Sequence, residues 1–249
     1  MPVYALSEEL VFPHPSLATE EGMLAVGGDL SPERVLLAYA NGIFPWYSEG
    51  RPLMWWCPRP RLVLSPSELR VGRTLRKVLK RRPYRITLDT AFTDVMRACA
   101  TVPRPDQDGT WITEALAATF TELHEQGVAH SVEAWDGDEL VGGLYGLSLG
   151  RAFFGESMFA KRPNASKVAF VHLVRQLHAW DFDLVDCQVV TDHMVSFGAR
   201  TIELDAFLER LERIVGVPTR KGPWVFDAEK ATSEPPATAG GAAPATAAP

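Results

Sequence analysis

Three polar side chains stand in stretches whose apolar character should exclude them. In DLVDCQVV, Asp186 and Gln188 are two residues apart, so in a regular strand both leave the same face, flanked there by Leu184 and Val190. In FFGESMF, Glu156 is set among Phe153, Phe154, Met158 and Phe159. A carboxylate in such a row is costly unless partnered. Two acids and an amide so placed point to a site where a proton is moved or a cation is held. The structural alternative is that Asp186 caps the helix after it and Glu156 pairs with an arginine; these residues alone leave both readings open.

Other chemistries find no support. There is no GxxxxGKS/T, HExxH or GxSxG, and GGLYG lies inside a strand-like run rather than opening a helix. His124, His130, His172, His178 and His193 are scattered and read as ordinary core or surface histidines. Cys57, Cys99 and Cys187 are odd in number with no CxxC, which excludes a disulfide framework and a cysteine zinc site. No metal ligands are expected.

The elements that must hold the three polar residues follow from periodicity. Residues 84–88 read as a strand, 91–100 as a helix, and 114–126 as a helix with Thr113 as N-cap and Gly127 as its stop. HSVEAW, LVGGLYGLSLG and RAFFGESMF form an antiparallel meander with tight turns. Asn164 or Ser166 then caps a helix whose Phe170, Leu173, Val174 and Leu177 make one apolar stripe. A strand, FDLVDCQVV, and helical stretches at 192–197 and 204–215 follow. This order outlines an N-acyltransferase-like (GNAT-related) α/β domain with a mixed sheet. Before it, Ser31-Pro32 starts and Asn41-Gly42 ends a short helix, and Trp46, Tyr47, Trp55 and Trp56 crowd a stretch studded with Pro45, Pro52, Pro58 and Pro60. The prolines exclude a central strand or a long helix there. The expected organisation is a small N-terminal α/β domain over 1–62, the larger domain over 63–230, and a disordered Ala/Pro-rich tail over 231–249.

The chain has 249 residues, 46% of them hydrophobic, and a net charge of −6. That average hides a segregation. Residues 70–85, RVGRTLRKVLKRRPYR, hold eight Arg/Lys and no acid; without them 17 basic residues face 31 acidic ones, a charge of −14. At about 100° per residue, Val71, Leu75, Val78 and Leu79 share a stripe opposite Arg70, Arg73, Arg76, Lys77, Lys80 and Arg81. A solvated face normally mixes signs, so this helix is expected to meet a polyanion: RNA, DNA or lipid headgroups. No stretch approaches the ~18 apolar residues of a membrane span, and the first residues lack the features of a signal peptide; a cytoplasmic location is expected.

The strings GGDLSPERVLLAYANGIFPW, PLMWWCPRPR, GTWIT, HSVEAW, LVGGLYG, FFGESMF, NASK and DCQVVTDHMVSFGA, collinear over roughly residues 10–215, resemble the leucyl/phenylalanyl-tRNA-protein transferase family. The resemblance implies transfer of Leu or Phe, less readily Met, from aminoacyl-tRNA to an N-terminal Arg or Lys of a protein, marking it for the bacterial N-end rule. It implies no cofactor, because aminolysis of an activated ester needs neither ATP nor metal, and a monomer is favoured. It assigns tRNA contact to Arg73, Arg76, Lys77, Lys80 and Arg81, stacking on the terminal adenine to Trp46 and Trp111, and the aminoacyl pocket to Leu144, Phe153, Met158, Phe170, Leu173, Leu177 and Val185. Asp186 is implied to orient or deprotonate the attacking amine with Gln188 positioning it, and Glu156 to be available to the cationic acceptor. Phe153 and Met158 would face oppositely in a regular strand, so a bulge at Gly155 is expected to bring both inward. The rival readings are a CoA-dependent N-acyltransferase, which would want a glycine in the AKRPNASK turn, a non-catalytic RNA-binding module, and the transferase acting on acidic N-termini, whose acceptor pocket should be basic.

Overall fold

The computed structural model describes residues 3–102 and 110–227; the Ala/Pro-rich tail lies outside them. Two sheets organise the chain. The smaller, in the order β1-β2-β4-β3, consists of β1 (Tyr4–Leu6), β2 (Met23–Gly27), β3 (Phe44–Pro45) and β4 (Met54–Trp56), with helix α1 (Pro32–Ala40) between β2 and β3. Ser31 caps α1 by accepting from the Arg34 amide, and Pro32 opens it. The proline-studded stretch does contain an interior strand: β4 pairs with both β2 and β3. Its three residues fit between Pro52 and Pro58, and Pro45 sits opposite Trp55 on β3, the edge strand of this sheet, where proline is tolerated.

The larger sheet has the order β11-β5-β10-β9-β8-β7-β6. Its strands are β5 (Arg61–Leu64), β6 (Arg85–Leu88), β7 (Ala129–Asp136), β8 (Glu139–Leu149), β9 (Ala152–Ala160), β10 (Leu184–Gln188) and β11 (Arg200–Ile202). The expected meander is β7 to β9, paired over nearly its whole length. Every neighbouring pair is antiparallel except β9 and β10, which run parallel. The sheet is therefore mixed, as expected for the larger domain. Because β5 already belongs to it, the two sheets divide between Trp56 and Arg61.

Helices cover both faces. On one side α3 (Phe92–Thr101), α4 (Glu114–Glu125) and α7 (Leu204–Val215) share a core with α1 and the small sheet. On the other, α5 (Ala165–Ala179) buries Phe170, Leu173, Val174 and Leu177, and α2 (Arg73–Arg81) leans on that core through Leu75 and Leu79. The short α6 (Asp192–Ser196) follows β10. Thr113 caps α4 as its sequence suggests. Asn164 precedes α5 but makes no side-chain cap; at φ +64° it turns the chain from β9 into the helix. The start of α5 presses on β8 at Gly142, where a Cβ would lie 2.5 Å from the Ala165 Cβ, so glycine there serves helix-to-sheet packing. Among the described residues no helix is long and apolar enough to cross a membrane.

One charged pair ties these layers together. Arg61 and Asp186 are 1% and 0% exposed, and Arg61 donates to both carboxylate oxygens at 2.8 and 2.6 Å. The guanidinium lies between the rings of Phe44 and Phe207, 5.0 and 4.8 Å from their centroids, so it touches the small sheet, the large sheet and α7 together. Breaking such a pair strands a buried charge. Arg61→Met is expected to lower unfolding free energy by about 3–5 kcal/mol in urea titrations, and Arg61→Met with Asp186→Leu to recover much of that loss.

Candidate active site

A cavity of about 590 Å³ opens where β9 and β10 part. Their parallel pairing ends at Asp186 opposite Phe154, while β9 runs on to Ala160. Of the residues expected at the aminoacyl pocket, Leu144, Phe153, Met158, Phe170 and Val185 line it, together with Glu156, Asp186, Gln188, Trp46 and Trp111. Leu173 and Leu177 are fully buried in α5 and do not reach it. They sit one turn or more beyond Phe170 on the same stripe, so they support the wall from behind.

Two bulges shape the strands that carry the polar residues. In the β8–β9 ladder Tyr145 faces Ser157 and Gly146 faces Gly155, which leaves Glu156 as the extra residue. The expected bulge is therefore present, and Phe153 and Met158 both reach the α5 side of the sheet. In the β10–β5 ladder Asp186 faces Val63 and Gln188 faces Leu62, so Cys187 is extra. This second bulge corrects the regular strand expected for DLVDCQVV. Gln188 adopts φ +61°, a conformation costing a non-glycine residue roughly 1–2 kcal/mol, and strain of this kind gathers at functional sites. Its side chain does not lie beside Asp186 as alternation would have it.

The hydrogen bonds follow from these kinks. Glu156 Oε1 accepts from the Tyr39 hydroxyl at 2.7 Å and from Gln188 Nε2 at 3.0 Å. Gln188 holds Asp186 through its backbone, its amide donating to Oδ1 at 2.9 Å. The acid paired with arginine is thus Asp186, not Glu156, and Asp186 caps no helix. Burial raises the Glu156 pKa to about 7, with the nearby Asp186 charge adding to the rise; the Tyr39 and Gln188 bonds and Arg61 act against it. Burial and the Glu156 charge push Tyr39 well above the ordinary phenol value, so its hydroxyl keeps its proton and serves as a donor. For Arg61, burial disfavours the charge but Asp186 outweighs it, and the net shift is upward. The site therefore holds a neutralised ion pair beside a carboxyl that titrates near neutrality, the range in which general bases work best.

Arg61 and Tyr39 were invisible as site residues in the sequence. The available signal was an arginine opening the apolar run LVL and a tyrosine on the buried stripe of α1; each acts on a residue more than a hundred positions away.

Of the two lining tryptophans, Trp46 follows β3 of the small sheet and Trp111 precedes α4. Trp46 is 43% exposed and packs edge-on to Trp56 at 5.8 Å, while Trp111 is nearly buried. The Tyr47 hydroxyl meets Thr113 Oγ1 at 2.6 Å, fastening the Trp46 loop beside the Trp111 segment. Apart from the site, α2 exposes Arg73, Arg76, Lys77, Lys80 and Arg81. Among the described residues none of the five is in an ion pair with an acid.

Comparison with known proteins identifies the family. Residues 63–212 match the family model for leucyl/phenylalanyl-tRNA protein transferase, and residues 28–59 match the model for the N-terminal domain of that protein. A leucyl/phenylalanyl-tRNA--protein transferase of Anaeromyxobacter sp. (strain Fw109-5) is 57% identical over 228 residues, 92% of this chain and 97% of that protein. Those of Desulfatibacillum aliphaticivorans and Myxococcus xanthus (strain DK1622) are each 55% identical, over 92% and 94% of this chain and 98% and 100% of their own lengths. With both models matched in order and such identity over nearly the whole length, the chain belongs to the leucyl/phenylalanyl-tRNA protein transferase family.

Proposed function

We propose that this protein transfers Leu or Phe, and less readily Met, from aminoacyl-tRNA to the N-terminal Arg or Lys of acceptor proteins, creating a degradation signal of the N-end rule in the cytoplasm. The observation that carries the reading is one cavity whose lining joins apolar side chains, Trp46 and Trp111, and the Glu156, Gln188 and Asp186 constellation. The apolar wall suits an aliphatic or aromatic side chain, and such a wall discriminates by only ~1–3 kcal/mol per methylene, in keeping with more than one amino acid being accepted. Trp46 and Trp111 suit stacking on the terminal adenine.

In the proposed reaction the acceptor amine attacks the ester carbonyl carbon. The C–N bond forms, the C–O bond to the terminal ribose breaks, and the amine proton is passed to the departing ribose oxygen. We assign that proton to Glu156, through Oε2. Asp186 has its charge matched by Arg61, so it acts as a fixed support that holds Gln188, and Gln188 in turn aims Glu156. An α-amine titrates at roughly 7.7–8, so a base with a pKa of about 7 and good placement of amine and ester are enough. The α2 helix, unpaired and cationic, suits the acceptor-stem phosphates in a mode that fixes position without reading bases.

The direct test supplies tRNA charged with labelled leucine and peptides beginning with Arg, Lys, Asp or Ala. Label should pass to the Arg and Lys peptides and be abolished by ribonuclease; label drawn from acetyl-CoA instead would overturn the reading. Glu156→Gln and Asp186→Asn should each lose transfer while charged tRNA still binds. Transfer should rise with pH through about 7 as Glu156 loses its proton. Tyr39→Phe removes a bond that favours the ionised form, so its limb should move to higher pH. Salt titrations of tRNA binding should show a steep loss of affinity, made shallower by Arg76→Glu with Lys80→Glu.

A further inference from the structure

The cavity has a wall whose backing comes from the far end of the chain. Phe153, 1% exposed, lines the cavity, and its ring lies over Gly146, where a Cβ would meet Phe153 Cζ at 2.6 Å. Behind it stands Trp224, 2% exposed, with ring centroids 6.0 Å apart. Trp224 belongs to the segment after α7, which has no regular secondary structure, yet it is held on every side. Its ring stacks on His130 at 3.6 Å and meets Trp180 and Phe182 edge-on at 5.1 and 5.8 Å. Its backbone amide donates to Asp89 Oδ2 at 2.7 Å, the oxygen that also bonds His130 Nδ1 at 2.8 Å. Its indole N–H donates to the Arg220 carbonyl at 3.1 Å. Three residues further on, Asp227 is bonded by Gln176 and Trp180.

We infer that Trp224 is a positioning residue for amino acid choice: it is the stop behind Phe153 that sets how deep the aminoacyl pocket is. The inference rests on the reading that this cavity seats the aminoacyl side chain. Protein interiors are close-packed, so a side chain between two fixed neighbours has one position. Phe153 has the Gly146 backbone on one side and Trp224 on another, and it cannot withdraw from the cavity while the indole is in place. Shrinking the indole opens space into which the Phe153 ring retreats, and the pocket gains length for a larger substrate. The loop that carries Trp224 touches no reacting group, so its effect on the reaction runs through Phe153.

The test is competition between Leu-tRNA and Phe-tRNA in one tube, read as the ratio of the two products on an Arg peptide, because that ratio does not depend on how much enzyme is folded. Trp224→Leu should raise the Phe-over-Leu ratio by about tenfold, and Trp224→Phe, which keeps a ring in the slot, should raise it less. Phe153→Leu should shift the ratio by itself, and adding Trp224→Leu to it should give no further shift. If both Trp224 variants leave the ratio unchanged while Phe153→Leu moves it, the role of Trp224 is overturned and the cavity reading stands. A full shift from Trp224→Leu in the Phe153→Leu background would overturn the route through Phe153. If Phe153→Leu leaves the ratio unchanged, the cavity reading falls and the inference with it.

Discussion

The buried contact between Arg61 and Asp186 is the constraint around which the site is arranged. A carboxylate with no exposure needs a fixed countercharge, and Arg61 supplies it with two hydrogen bonds while its flat face rests between Phe44 and Phe207. Planarity matters here, because an ammonium could not stack on two rings and fork to one carboxylate together. Once Asp186 is matched, its remaining influence on Glu156 is partial, and burial becomes the main cause of the raised Glu156 pKa. One acid is thereby committed to structure and the other left to titrate.

Two bulges in strands that are neighbours turn this electrostatic frame into a site. Each inserts one residue, Glu156 in β9 and Cys187 in β10, and each reorients the side chains beyond it. A regular ladder would have sent Phe153 and Met158 to opposite faces and kept Gln188 beside Asp186. The distortions instead gather apolar side chains on one side and place the Gln188 amide on Glu156. Bulges commonly re-aim side chains in this way next to active sites.

Much of the frame was legible because it is local. Ser31 and Thr113 cap their helices as their spacing indicates, the α5 stripe is buried, and the cationic face of α2 is exposed. Gly155 signalled the first bulge because glycine inside an aromatic strand needs a reason. The second bulge carried no such signal, since Gln188 takes a left-handed conformation without glycine. Arg61 and Tyr39 were missed for a related reason: their partners are set by the register of β5 with β10 and by the packing of α1 against the large sheet, and neither is written in neighbouring residues. The β4 strand is masked by the prolines around it, because a strand of three residues fits between Pro52 and Pro58.

The hydroxyl of Tyr39 gives the two sheets a relation beyond packing. It belongs to the small N-terminal unit, yet its hydrogen bond lowers the proton affinity that burial raises in a carboxylate of the large one. The N-terminal unit is therefore not an interchangeable module that merely presents tryptophans. A chimaera that joined this larger sheet to another protein's first sixty residues without such a hydroxyl would carry a Glu156 carboxyl that keeps its proton to higher pH.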